Sequence, residues 1–312
     1  LTLTAGTVVP TSVTELSNLV NVGDDIALGA DLHIYGNYGG ALDGSVVAGG
    51  NLTVAPNTTF QVDGIYHAAV DVWTSATVIL NGPIKAWATV GANDASLTIG
   101  GSGEIPVAAS TIEDLLNLTM NRPAATLTMG EFAIAAGGSL TINQGTVNAT
   151  GEITLPADGI ATVNQNGTLI LGINQTALAG TVTGLGTIDA TGISATFTGP
   201  YTFTGNLITT DATTLIFGDD GNPTQNIELN SSVRDLAALE FRGDSPGTLD
   251  IRNDLTIVGT ITGTDVYDAG VEGQLIRLNG HKLSMTGANA TSTLDASNSE
   301  LDLRGDAAFG EN

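Results

Sequence analysis

Apolar residues in this chain recur at every second position, in short bursts that glycine cuts off. Leu1-Thr2-Leu3-Thr4, Asn51-Leu52-Thr53-Val54, Ser96-Leu97-Thr98-Ile99, Ser139-Leu140-Thr141-Ile142 and Asp254-Leu255-Thr256-Ile257 all alternate in this way. A period of two turns one set of side chains inward and the other to solvent, the geometry of a half-buried strand. Threonine suits the outer set because it is both β-branched and polar. The 41 glycines, with Asn-Gly pairs at Asn81-Gly82, Asn166-Gly167 and Asn279-Gly280, mark tight turns between the bursts. No stretch sustains a 3.6-residue apolar repeat without an interrupting glycine or β-branched run, which excludes long helices. The expected class is all-β.

A longer repeat overlies the short one. Ser12-Val13-Thr14-Glu15-Leu16, Thr111-Ile112-Glu113-Asp114-Leu115 and Ser232-Val233-Arg234-Asp235-Leu236 share one pattern, each followed three residues later by Leu19, Leu118 or Leu239. Ser12 with Glu15 and Ser110 with Glu113 have capping-box spacing, and a leucine pair three apart shares one helical face. The spacing therefore predicts a short helical turn at each copy, against the competing reading of a strand whose Ser and acid face water. The copies recur at offsets of 99 and 121 residues, counted between Leu16, Leu115 and Leu236. They suggest an N-terminal strand at 1-11 and β modules at 12-109, 110-231 and 232-312. Chains built by repetition place their function in shape and surface.

Charge narrows the partners. With 32 acids against 8 bases, the formal net charge is -24. Nucleic acid and anionic membrane surfaces both require a basic face, so neither is an expected partner. No run is long and apolar enough to predict membrane insertion as a helix. The absence of cysteine leaves no disulfide or thiolate site. The first residue is Leu1, which we read as following the removal of a signal segment or as a start inside a longer precursor.

Candidate sites are few. Asp24-Asp25 and Asp219-Asp220-Gly221-Asn222 are glycine-flanked acidic turns with the hard oxygen ligands calcium prefers, although solvated turns explain them as well. No cofactor is required by this pattern, and calcium is the only one it suggests. Tyr35, Tyr38, Tyr66, Trp73 and Trp87 gather within residues 33-87, where amphipathic rings can stack on sugars or anchor a partner, or else fill a widened core. Residues 1-9 form an alternating strand with Leu1, Leu3 and Val8 on its apolar side. Such a strand can complete a neighbour's open sheet edge or fold back onto its own chain. His33, His67 and His281 sit in unrelated contexts, with no nucleophile elbow to match them. The expectation is a protein that is not an enzyme.

The densest alternating stretch runs from Leu116-Asn117-Leu118-Thr119-Met120 through Leu127-Thr128-Met129, Phe132-Ala133-Ile134 and Gly138-Ser139-Leu140-Thr141-Ile142 to Gly145-Thr146-Val147-Asn148. It resembles the repetitive β-solenoid regions of secreted bacterial surface proteins, adhesins and autotransporter passengers among them. The resemblance implies a parallel β-helix, placement outside the cell and a structural or adhesive role, and it carries over no catalytic residue. Tandem β-sandwich domains are the alternative fold, since a repeat of about a hundred residues fits them in size. The function expected is that of a structural subunit of a surface filament, sheath or layer, polymerising with copies of itself through end-to-end β contacts. The alternatives are an adhesin segment that binds glycans or a host surface, and a carbohydrate-active β-helix enzyme.

Overall fold

The fold is described from a computed structural model. It describes residues 2–3, 14–16, 20–22, 26–28, 32–34, 46–48, 51–54, 59–62, 66–67, 70–82, 84–86, 89–102, 105, 109–218, 227–229, 233, 235–242, 248–259, 261–264, 275–277, 279, 281–285, 289–290, 293–295, 300–303 and 308–309. Within them the chain is strand and turn, and the strand pairings are parallel. It divides into two compact units, Leu1–Thr168 and Leu169–Asn312. Both are parallel β-solenoids, in which the chain winds in coils and each strand lies beside its counterpart one coil later.

In the first unit each coil visits three faces in turn. Val46–Ala48, Asn51–Val54 and Thr59–Val62 make one coil, and Tyr66–His67, Val70–Thr74 and Thr77–Leu80 stack on it in the same order. Residue pairs such as Thr77↔Ser96 and Leu97↔Leu118 keep like residues in line. Inward positions therefore form columns: Phe60, Val78, Leu97 and Leu118 in one, Val62, Leu80, Ile99 and Met120 in the next, all buried. A fully buried leucine contributes about 1.5–3 kcal/mol relative to an exposed one, so every coil adds one such increment to each column. The prediction of a parallel β-helix holds.

The predicted helical turns are overturned. Thr14–Leu16 pairs with Leu32–Ile34, Asp235–Leu236 pairs with Leu255–Ile257, and the middle copy lies inside the long strand Ala109–Ala149. The spacing of Leu115 and Leu118 has a different cause. Asp114 is exposed with φ +53°, and it turns a corner between two faces. Just beyond that corner the register slips by one residue, from Ala95↔Leu115 to Ser96↔Asn117, so Leu115 and Leu118 both point inward with Leu116 and Asn117 between them half-buried. The third copy repeats the device: Val233, Leu236 and Leu239 are buried, Asp235 is exposed, and Ala237 and Ala238 are half-buried. A bend in a solenoid thus imitates the three-residue spacing of a helix.

The corners are themselves stacked. Ser75, Asp94 and Asp114 occupy successive coils with φ of 44°, 51° and 53°. The Ser75 amide donates to the Asn93 carbonyl at 2.7 Å across the stack. At another corner Gly145 has φ +82°, and a Cβ there would collide with the backbone carbonyl oxygen of Arg122. Only glycine satisfies both demands at once.

The second unit uses the same plan. Gln175–Leu178, Ser194–Phe197, Thr214–Phe217, Ala238–Arg242, Ile261–Thr264, Asn289–Ala290 and Ala308–Phe309 form one seven-stranded parallel face. Phe197, Phe217 and Phe241 fall in register along it, and the Phe197 and Phe217 rings stack with centroids 5.5 Å apart. Tyr201 meets both edge-on, at 4.9 and 5.1 Å, and burial pushes its phenol well above the usual range. The interior of this unit gathers rings where the first unit uses mostly aliphatic side chains.

Candidate functional site

The outward positions of one face in the first unit carry no charge over five consecutive coils. Its rungs are Thr77–Ile79, Ser96–Thr98, Asn117–Thr119, Ser139–Thr141 and Ile160–Thr162. Thr98 pairs with Thr119. The Asn117–Ser139 and Asn143–Asn164 bonds, at separations of 22 and 21, carry the column on to Thr141 and Thr162. A parallel column runs Ser96, Asn117, Ser139. Asn117 Nδ2 donates to Ser96 Oγ at 3.0 Å, and Ser139 Oγ donates to Asn117 Oδ1 at 2.7 Å. Along the same strands a third column holds Asn121, Asn143 and Asn164. Asn164 Nδ2 donates to Asn143 Oδ1 at 2.7 Å, and Gln144 Nε2 donates to Asn121 Oδ1 at 3.1 Å. These bonds run from coil to coil and hold the amides in fixed orientations.

The acids sit elsewhere. Asp94, Asp114, Glu131 and Asp158 are exposed and Glu152 is half-exposed, each at a bend between two inward-facing segments. A strand face between two coils brings like side chains to within about 5 Å, so a charged column would repel itself along its whole length. Corners let each carboxylate splay into water. On this face the charge is kept to the corners.

Arg122 is a functional-looking residue with an internal role. It is 0% exposed, and its guanidinium donates to the carbonyls of Gly100 at 2.7 Å, Leu80 at 2.9 Å and Gly82 at 2.8 Å. Burial lowers its pKa to about 10. Its side chain crosses from its own coil to two earlier ones and satisfies backbone oxygens at the corner they share. The signal lay in phase: Leu118, Met120 and Arg122 are successive inward positions of one alternating run, and Pro123 follows at once.

The predicted site residues fare unevenly. Tyr66 and Trp73 are both 0% exposed, so the reading of these two as glycan or partner contacts is corrected: they fill the core, where a sugar cannot reach their faces. Tyr66 packs edge-on against Phe60 at 6.3 Å. Tyr35, Tyr38 and Trp87 lie outside the described residues, as do the calcium candidates Asp24, Asp25, Asp219, Asp220 and Asn222. Leu1 and Val8 of the assembly strand also lie outside them. Thr2–Leu3 pairs in parallel with Asn21 and Val22 of its own chain, so this part of the strand folds back. The neutral polar face was visible in the sequence only as alternating Leu and Thr. Its columns appear once the coil length is known. No protein-family model, curated protein or solved structure matches this chain.

Proposed function

We propose that this chain is an extracellular structural protein, a subunit of a surface filament, sheath or layer whose copies join through end-to-end β contacts. The observation that carries this reading is the parallel ladder itself, in which strand after strand lies in register on its counterpart one coil away. Every coil offers a row of N–H and C=O groups to the next, and a parallel strand of another copy is a natural complement to such a row. A copy added to the ladder in this way makes a heterologous contact that does not close, and such contacts make fibres. The net charge of -24 keeps the flanks of neighbouring fibres apart.

The test is negative-stain electron microscopy of the purified chain over rising concentration, beside a Thr2→Pro, Glu15→Pro double variant. Proline removes a donor and is tolerated at an edge. Filaments or sheets from the parent and dispersed, folded particles from the variant are the expected result. A parent that stays monomeric in sedimentation at every concentration would refute the reading.

A further inference from the structure

From the neutral face of the first unit we infer a surface for an ordered water lattice, the face of an ice crystal. The columns of Ser96-Asn117-Ser139, Thr98-Thr119-Thr141-Thr162 and Asn121-Asn143-Asn164 form a two-dimensional grid of hydroxyls, amides and methyls. Its repeats are those of a sheet: ~4.8 Å from coil to coil and ~6.7 Å between alternate residues of a strand. Both lie close to repeats on a prism face of hexagonal ice. Threonine offers a hydroxyl to join that lattice and a methyl to sit in its hollows.

Rigidity completes the match. The side chains of Asn117 and Asn143 are held by neighbours one coil away, so the grid is ordered before a partner arrives. A soluble macromolecule is a poorer occupant. The grid spans roughly 13 by 14 Å, an area on the order of 200 Å², against about 800 Å² per partner in a stable protein interface. A second copy also brings its own net charge of -24, whereas ice brings none. A sugar chain would look for exposed rings, and Tyr66 and Trp73 are buried.

The experiment uses ice itself as the probe, with the full chain. Growth of a polycrystalline film and of single crystals is followed in its presence, and the fraction of protein taken into slowly growing ice is compared with an inert fluorescent protein. Thr119→Tyr with Thr141→Tyr disrupts the grid from outside, where tyrosine is at home on a strand. Thr128→Tyr, on another face, is the control, and circular dichroism reports folding of both. The parent and control should facet crystals, slow recrystallisation and enter the ice, while the double variant falls to the inert marker. Exclusion of the parent from ice overturns the inference, as does equal activity in the double variant. So does a dimer in sedimentation that the double variant alone abolishes, which would assign the face to a second copy. End-to-end polymers have no part in these readouts, so this inference stands or falls apart from the assembly reading.

Discussion

Tyr201 shows how one buried group ties the core to solution conditions. Its ring closes a cluster with Phe197, Phe203 and Phe217, and burial raises its phenol pKa above the ordinary value of 10.0. In the unfolded chain the phenol ionises near pH 10, while in the folded chain it keeps its proton. The stability that Tyr201 contributes is therefore complete below pH 10 and is lost as pH rises above it, by about 1.4 kcal/mol per pH unit. Tyr201→Phe removes the proton from the balance and keeps the ring. Urea unfolding at pH 9, 10 and 11 should show the parent losing ground on the variant over the last step. Parallel pH profiles for the two proteins would contradict this assignment. The other tyrosines contribute equally to both proteins, so the difference isolates Tyr201.

At the scale of an element, the unit of construction is the corner, and Arg122 is the clearest instance. Its three donor bonds reach Leu80, Gly82 and Gly100, so it clamps a bend across three coils. Arg122→Met keeps much of the apolar stem but leaves those carbonyls buried without this donor. Hydrogen bonds from a charged group are worth about 1.5–3 kcal/mol each, and a buried acceptor left open costs about 1–3 kcal/mol. A loss of at least about 3 kcal/mol is expected in chemical denaturation, with Arg122→Lys recovering only part, because an ammonium cannot span the same fork of acceptors. A loss below about 1 kcal/mol for Arg122→Met would show that the clamp adds little. Corners also explain what could be read in advance. The strands were legible because alternation is a local property, plain in Leu97-Thr98-Ile99 and Leu140-Thr141-Ile142. The bends were not, since Asp114 reverses phase through a positive φ that nothing in Glu113-Asp114-Leu115 announces. The leucine pair just beyond it, parted by a register slip at Leu116, then carried the spacing of a helix. The neutral grid stayed hidden for a related reason: its columns join residues 21 and 22 apart, and corner lengths set that separation.

For the molecule as a whole, the governing quantity is its excess of acid. The 32 acids against 8 bases repel one another, and stacked bends such as Asp94 and Asp114 bring some of them onto successive coils. Folding gathers this charge, so the folded state gains more than the unfolded chain when salt screens it. The Debye length falls from about 30 Å at 0.01 M to about 10 Å at 0.1 M and about 3 Å at 1 M salt, so screening acts first between distant corners and reaches stacked ones only at the top of the range. Thermal unfolding should therefore shift upward by several degrees between 10 and 500 mM sodium chloride, in a smooth curve without saturation at low concentration. Calcium gives the sharper version of the experiment. If screening is the whole effect, calcium chloride matched for ionic strength raises the midpoint only modestly more than sodium chloride, as a divalent ion must. A saturating rise at micromolar to millimolar calcium would instead assign bound ions to an acidic turn, to Asp219-Asp220 if Asp219→Asn with Asp220→Asn abolishes it and to Asp24-Asp25 if Asp24→Asn with Asp25→Asn does. The smooth curve is the expected result, because described carboxylates such as Asp94 and Asp114 face open water, while others, such as Glu228 and Glu240, are held by Arg252 and Arg242. Screening acts on all of them at once.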